Sequence, residues 1–208
     1  MAHIERRVKE AVVSGVLGPG DKLSASQLAA ELGVSHIPVR EALMSLASSG
    51  YIQHRPRVGF FVRPLSSDEI RDIYHWRAIL EREAFVLAVP NLTEADITEM
   101  RRLADMMKGM KARDSRRDYL ALNRDFHFVA FRRAESAQLI WFLDHLWDLA
   151  APYTFAGINS EASHDDHEQL IIRFEARDIA GAVDVMVRHR GKSVDAIERW
   201  EAQGTGTD

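Results

Sequence analysis

The sequence predicts a mainly α-helical protein, with an N-terminal winged helix-turn-helix followed by an all-α antiparallel bundle of about six helices. Apolar residues recur at helical spacing through most of the chain, whereas two short β-prone runs stand close together at residues 51–54 and 60–62. Clusters of glycine, proline or serine separate the periodic segments and mark the turns between them. We therefore predict two domains, which comprise residues 1–65 and 66–208.

The N-terminal domain has the spacing of a helix-turn-helix. A first helix is predicted over residues 3–14, a second ends at Gly33, and a third begins at Ser35. Pro38 falls in the first turn of the third helix. Proline is tolerated there because a backbone N–H at that position has no hydrogen-bond partner within the helix. Two or three residues separate the second and third helices, which is typical of this motif. The two β-prone runs flank a basic turn at residues 55–59 and predict a hairpin, or wing.

The outer side of the predicted third helix and the wing carries the side chains expected to contact duplex DNA. They are Ser35, His36, Ile37, Arg40, Arg55, Arg57 and Gly59. A guanidinium matches the major-groove edge of guanine, so Arg40 is the main candidate for base or phosphate contact, whereas Arg55 and Arg57 would neutralise phosphates. Gly59 would let the wing backbone approach closely. Taken singly, each arginine is more often a solvated surface charge, but the set favours DNA binding.

Composition narrows the class of protein. The net charge is −4, but residues 1–65 carry eight Lys or Arg and five Asp or Glu, a charge of +3, which leaves −7 for the rest. Phosphate attraction is local, so a basic N-terminal domain is compatible with DNA binding. The lack of cysteine excludes disulfides and thiolate metal sites and fits a reducing cytoplasm, where we expect the protein to act. No apolar run reaches the roughly 18 residues of a membrane span, and no secretory signal is visible, so no membrane partner is expected.

The C-terminal domain is predicted to be helical throughout, with a polar tail from residue 203 that frays. Its predicted helices cover residues 67–88, 94–110, 115–134, 137–154, 161–176 and 179–201. In the first of them, Arg77 and Glu81 fall one turn apart on the inner apolar stripe, which also includes Ile70, Ala84 and Leu87. Two interpretations stay open for this pair. It is either a buried structural ion pair, or Arg77 helps to receive an anionic ligand in the bundle interior.

Polar side chains on three later helices predict a metal site in the bundle core. The candidate ligands are Asn123, His127, His167 and His189. The first two are four residues apart and share one helix face, and the other two lie on the apolar faces of the last two helices. Three imidazoles and an amide oxygen around one interior point would suit a divalent cation. Asp125 and His164 are alternative ligands, although Asp125 points about 200° away from His127.

Residues 4–64 resemble the winged helix-turn-helix of GntR-family bacterial transcription regulators. The similarity lies in the runs LGPGDKL at 17–23, GVS at 33–35 and PVREAL at 38–43, followed by Gly50. One departure is His36, because the family commonly has arginine after the serine that opens the recognition helix. A histidine there weakens any transfer of operator sequence and would give DNA binding some dependence on pH.

Residues 67–200 are similar to FCD, the ligand-binding domain of the FadR subgroup of that family. The similarity is carried by NRDFH at 123–127, DHEQL at 166–170, Gly181 and MVRH at 186–189. The resemblance implies that Asn123, His127, His167 and His189 bind a divalent transition metal, zinc in the first place, with nickel or manganese as alternatives. Asparagine, in place of a negatively charged aspartate, leaves the four protein ligands neutral. This favours an anionic effector at the open coordination positions of the metal.

These features predict a DNA-binding transcription regulator rather than an enzyme. We expect a homodimer that binds a palindromic double-stranded operator and senses a small organic acid through the metal and Arg77; the resemblance implies a repressor. Two alternatives stay open. One is a metal-responsive regulator in which the ion itself is the signal, and the other is a metalloenzyme with Glu81 as its general base.

Overall fold

The computed structural model describes residues 2–110, 116–154 and 161–204. Contacts between Cα atoms divide the chain into two compact units, residues 1–66 and 67–208. The loop expected at residues 111–115, most of the one expected at 152–160 and the end of the tail lie outside the described residues.

The described residues of the first unit form three helices and a small sheet. The elements are α1 (Ala2–Val13), β1 (Lys22–Leu23), α2 (Ala25–Leu32), α3 (His36–Ser48), β2 (Ile52–Arg55) and β3 (Gly59–Val62). Their apolar faces meet in a core that includes Val8, Leu43 and Ile52, each at most 1% exposed. The winged helix-turn-helix predicted from the sequence is therefore confirmed.

The sheet has the strand order β1-β3-β2 and is antiparallel throughout. Strands β2 and β3 form the wing, with His54 opposite Phe60 and Arg55 opposite Gly59. Strand β1, in which Leu23 pairs with Phe60, was not predicted. A strand of two residues is too short to have the apolar–polar alternation from which strands are recognised.

The turn between α2 and α3 depends on a glycine. Gly33 has a φ of 65°, in the left-handed region that only glycine adopts readily. The backbone N–H of Val34 then donates to the carbonyl of Ala29 at 3.0 Å, which closes the end of α2. Ser35 is the N-terminal cap of α3 by position, but its side chain makes no capping hydrogen bond.

The described residues of the second unit form a bundle of six α-helices. They are α4 (Ser67–Ala88), α5 (Glu94–Lys108), α6 (Arg116–Phe131), α7 (Ala137–Thr154), α8 (Glu161–Glu175) and α9 (Ile179–Gly204), and short 3-10 turns follow α4 (Val89–Asn91) and α6 (Arg132–Ala134). The helix expected to reach residue 134 ends earlier, where the chain tightens into the 3-10 turn before Glu135 at a φ of 53°. None of the described helices is long and apolar enough to cross a membrane.

Helix α4 packs against α6, α7 and α9, so its inner face lines the bundle interior. The predicted apolar stripe is buried at Ile70 and Ala84, but Leu87, which was also expected inside, is 39% exposed. Phe85 is buried in its place. Leu87 lies six residues beyond the buried Glu81, which is about 240° around the helix, so it emerges on the outer side.

Candidate metal centre and DNA-contacting surface

Three histidines from three helices meet in the interior of the bundle. His127 comes from α6, His167 from α8 and His189 from α9. Their ring centroids lie 5.3 Å (127 to 167), 5.3 Å (127 to 189) and 4.9 Å (167 to 189) apart. One ring nitrogen of each lies within 4.8 Å of those of the other two. His127 and His167 are 1% and 0% exposed, and the side chain of His189 is 13% exposed.

The other predicted ligand, Asn123, lies one turn before His127 and is also buried. The two alternative ligands are placed differently. Asp125 is exposed, because its side chain leaves α6 on the opposite side from His127. His164 is half-buried on α8, and among the described residues neither side chain joins the three converging histidines.

Several buried polar atoms at this point have no hydrogen-bond partner among the described residues. They are Asn123 Oδ1, His127 Nε2 and both ring nitrogens of His167. Buried polar groups are nearly always hydrogen-bonded, and an unsatisfied one costs about 1–3 kcal/mol. Imidazole nitrogens and amide oxygens are ligands that divalent transition metals accept. The donor set therefore fits a metal ion, which would accept the unused lone pairs.

The imidazoles of His127 and His167 are held in their neutral form. Burial is the main cause that places the pKa values of His127 and His167 well below the usual 6.5. Neighbouring imidazoles add to this effect, and Arg77 and Arg190 lower the pKa of His127 further. A neutral imidazole has a free lone pair, so at neutral pH these side chains need to lose no proton before they bind a metal.

Asp166 positions His189 from outside the group. The Oδ2 atom of Asp166 lies 3.3 Å from Nδ1 of His189 and 2.5 Å from Nζ of Lys192. Burial would raise the pKa of Asp166, but hydrogen bonds from His189 and Lys192 lower it to about 2. When Nδ1 donates to this carboxylate, Nε2 of His189 keeps its lone pair free for a ligand. The sequence analysis missed this role, although Asp166 directly precedes His167.

A buried carboxylate joins three helices beside the histidines. Glu81 Oε1 accepts from Nε of Arg77 at 3.1 Å and from Nε1 of Trp147 at 2.9 Å. Its Oε2 accepts from Nη1 of Arg190, a partner that the sequence analysis missed. The Arg77 guanidinium carbon also lies 4.1 Å from the centroid of the Trp147 ring. The ion pair considered from the sequence is present, and the two arginines sharing one carboxylate leave a local charge of +1.

A cleft of about 320 Å³ lies between α5 and α8 and has His167 in its lining. Two ion pairs connect its walls: Lys108 lies 3.4 Å from Glu168, and Arg101 lies 2.5 Å from Glu175. The side chain of His167 is 0% exposed, so its ring is closed off from the solvent in the cleft.

The residues predicted to contact DNA lie on the surface of the first unit. Ser35, His36, Ile37, Arg40, Arg55 and Arg57 are exposed, and Gly59 is half-buried. The Arg55 guanidinium carbon lies 4.6 Å from the centroid of the Phe61 ring, and that of Arg40 lies 5.9 Å from Phe60. Phe60 and Phe61 are successive residues of β3, so the two arginines lie against opposite faces of the sheet.

The wing has two residues in the left-handed region. Arg57 has a φ of 65° at its tip, and Gly59 has a φ of 131°, which strains any residue with a Cβ atom. A Cβ at Gly59 would also lie 3.5 Å from Cε of Lys22 on β1. Lys22 is exposed beside the wing, and the sequence analysis did not select it because β1 was not predicted.

Models of two protein families match the chain. Residues 1–62 match the bacterial regulatory proteins of the gntR family, and residues 72–191 match the FCD domain. The regulator McbR of Escherichia coli K12 is 29% identical over 185 residues, which cover 86% of this chain and 84% of McbR. The repressor GlaR of the same organism is 28% identical over 206 residues, which cover 93% of this chain and 94% of GlaR.

Solved structures are similar over almost the whole chain. The structure of E. coli McbR/YncC superimposes with a TM-score of 0.87 at 25% identity and covers 96% of this chain and 97% of its own. A putative GntR regulator from Rhodococcus sp. RHA1 superimposes with a TM-score of 0.80, covering 94% of this chain and 96% of its own, but at 18% identity it supports the fold alone.

We expect His167→Ala to remove a divalent metal from the purified protein and to lower its melting temperature. The substitution deletes a ligand, and a metal that binds the folded state stabilises it by mass action. Elemental analysis and thermal melting before and after treatment with a chelator measure both effects. His164→Ala is the matched control, because it removes a histidine one turn away on α8 that lies outside the group. Equal metal content in wild type and His167→Ala would disprove the ligand set.

Proposed function

Because the chain belongs to the GntR family of bacterial regulatory proteins and carries an FCD domain, we propose that it is a cytoplasmic transcription repressor controlled by a small carboxylate metabolite. It is a DNA-binding transcription regulator, since its families and relatives are regulators rather than enzymes, and the metalloenzyme alternative is set aside. One observation carries the proposal of a sensor: three imidazoles meet beside two arginines that share one carboxylate.

The metal centre is proposed to use an amide oxygen and three imidazole nitrogens. The ligands would be Asn123, His127, His167 and His189. Four neutral ligands leave both charges of a divalent ion uncompensated, which favours an anion at a remaining position. Imidazole and amide ligands suit zinc, with nickel or manganese as alternatives. When bound, the ion would supply Lewis acidity that attracts and orients a carboxylate, while Asp166 keeps His189 in the binding tautomer.

Arg77 is proposed to take part in holding the carboxylate. Its Nε donates to Glu81, and a guanidinium has further N–H donors in the same plane. Arg190 engages the other oxygen of Glu81, so the pair of arginines carries one positive charge in excess. Beyond burial, both arginines contribute to the low pKa of His127. Their positive potential therefore extends to the point where an anionic ligand of the metal would bind.

We expect Arg77→Lys to weaken the response to carboxylates without weakening DNA binding. Lysine keeps the charge but loses the planar fork of donors. Acetate, lactate, succinate and citrate would be screened by thermal shift, and the acid that stabilises wild type should stabilise Arg77→Lys less. Arg102→Lys, an exposed arginine paired with Glu99, is the matched control. Equal losses of carboxylate response and operator affinity would mean that Arg77 serves only as a structural partner of Glu81.

A metal-responsive regulator is the second candidate function. It is favoured by the near-complete burial of His127 and His167, which leaves little solvent at the centre. Titration of operator binding with zinc or nickel, in buffer without organic acids, separates the two functions. A change in operator affinity caused by the ion alone would support the second candidate.

The exposed basic residues of α3 and the wing are proposed to bind the operator. Arg40 projects from the recognition helix, whose N-terminal part contacts base edges in this class of fold. Arg55 and Arg57 project from the wing and would contact phosphates. The glycine conformation at residue 59 allows the wing backbone to lie close to the duplex.

We expect Arg40→Ala to weaken binding to an operator duplex by about 1–3 kcal/mol, because a guanidinium contact to a base or phosphate is lost. The operator would be obtained by selection from a random-sequence duplex pool, and affinities measured by fluorescence anisotropy. Arg102→Ala is the control for general loss of positive charge. Unchanged affinity of Arg40→Ala with its fold intact by circular dichroism would disprove the recognition-helix assignment.

The second unit is proposed to form a homodimer, as a palindromic operator requires. Helices α4 and α7 pack together, and each carries large apolar side chains on its exposed side. These are Trp76 (50% exposed), Ile79 (46%), Val86 (38%), Leu87 (39%), Trp141 (63%) and Phe142 (51%). Exposed apolar patches of this kind mark protein–protein contacts. Arg82 and Glu83 are exposed on α4, so two copies related by a two-fold axis can also match opposite charges.

We expect Trp141→Glu to shift the protein from dimer to monomer in sedimentation velocity experiments, because it places a charge in the apolar contact. Val187→Glu introduces the same charge at a residue of α9 that is 54% exposed and should leave the dimer intact. Monomeric wild-type protein at micromolar concentration, or a dimeric Trp141→Glu variant, would contradict the assignment of this face.

A further inference from the structure

The recognition helix carries the most exposed large hydrophobic side chain among the described residues. Ile37, in the first turn of α3, is 71% exposed. Met44, two turns further along the same side, is 45% exposed. Together with Arg40 and Glu41, these side chains occupy an arc of about 100°. The opposite side of α3 is fully buried at Val39, Ala42 and Leu43, so the two apolar side chains are directed away from the core.

A single exposed isoleucine needs no explanation on most surfaces. The position of Ile37 is different, because it lies one turn from Arg40 on the side proposed to enter a DNA groove. The charged group of Arg40 extends from α3 toward the sheet, where its guanidinium carbon lies 5.9 Å from the centroid of the Phe60 ring. An apolar side chain beside a cation complements a duplex groove, whose bases lie between two rows of phosphates.

The major groove offers one apolar group to such a side chain. Guanine, cytosine and adenine present hydrogen-bond donors and acceptors there, whereas thymine also presents its C5 methyl group. Residues in the first turn of a recognition helix are those that contact base edges. Ile37 has no hydrogen-bonding atom in its side chain, so a methyl group is the feature of a base pair that it can distinguish.

We propose that Ile37 recognises a thymine methyl group in each operator half-site. The inference rests on the proposed operator binding and specifies what the protein reads there. Ile37 and Arg40 are three residues apart, which is about 4.5 Å along the helix axis, against about 3.4 Å between successive base pairs. The thymine therefore lies one or two base pairs from the base that Arg40 contacts.

The test removes the methyl group and the side chain separately and together. Wild-type protein first selects its operator from a random-sequence duplex pool, and each thymine of the selected half-site is then replaced singly by deoxyuridine, which lacks only the C5 methyl. Affinities of wild type, Ile37→Ser and the matched control Met44→Ser are measured for every duplex. One replacement should weaken wild-type binding about fourfold, the equivalent of exposing one buried CH₂ group. The same replacement should leave the affinity of Ile37→Ser unchanged. It should weaken the binding of Met44→Ser by the same factor as the binding of wild type.

Two results would overturn the inference. Deoxyuridine could leave wild-type affinity unchanged at every position, or it could weaken Ile37→Ser as much as wild type, so that the methyl and the side chain are not coupled. In both cases the wild-type protein would still bind its operator, so the proposed function would stand. If wild-type protein enriches no duplex sequence at all, the proposed function fails and this inference fails with it.

Discussion

The burial of three imidazoles and one carboxylate in the bundle interior is the constraint on which the second unit depends. Desolvation disfavours the charged imidazole, so His127 and His167 remain neutral with lone pairs that have no partner among the described residues. Without a bound ligand, each unsatisfied buried atom would lower the stability of the folded bundle. A metal ion accepts several such lone pairs at once, which relates the stability of the bundle directly to its proposed function.

Glu81 links the histidine group to the helices around it. One carboxylate accepts hydrogen bonds from Arg77 on its own helix, Trp147 on α7 and Arg190 on α9. An incoming anion that attracts either arginine would compete with Glu81 for its donors and so alter the contact between α4 and α9. Helix α4 follows the wing strand after only a few residues of chain, so it is the element through which an effector could influence the DNA-binding unit. Such coupling requires the ligand to interact differently with two arrangements of this network.

The side chains proposed to contact DNA are arranged differently from those of the metal centre. They are exposed, and the core beneath them orients α3 and the wing. Val39 and Leu43 hold the helix by its buried side, so that Ile37 and Arg40 face outward. A partner therefore determines what these residues do, and their exposure is informative only when it is considered with the charge around them.

By itself, the sequence determined the order and approximate ends of the helices, the helix-turn-helix and the pairing of Asn123 with His127, because these depend on spacing along a single helix and on turn residues such as Gly33. The sequence also predicted that His167 and His189 face the same interior point as His127, and the tertiary structure fixed the distances between them. Only the tertiary structure decided that Arg190 shares Glu81 with Arg77 and that Asp166 orients His189. It also placed Leu87 outside and added β1 to the wing. Those contacts join residues that are distant in the chain, and their partners are selected by the packing of side chains between helices, which the periodicity of one helix does not specify.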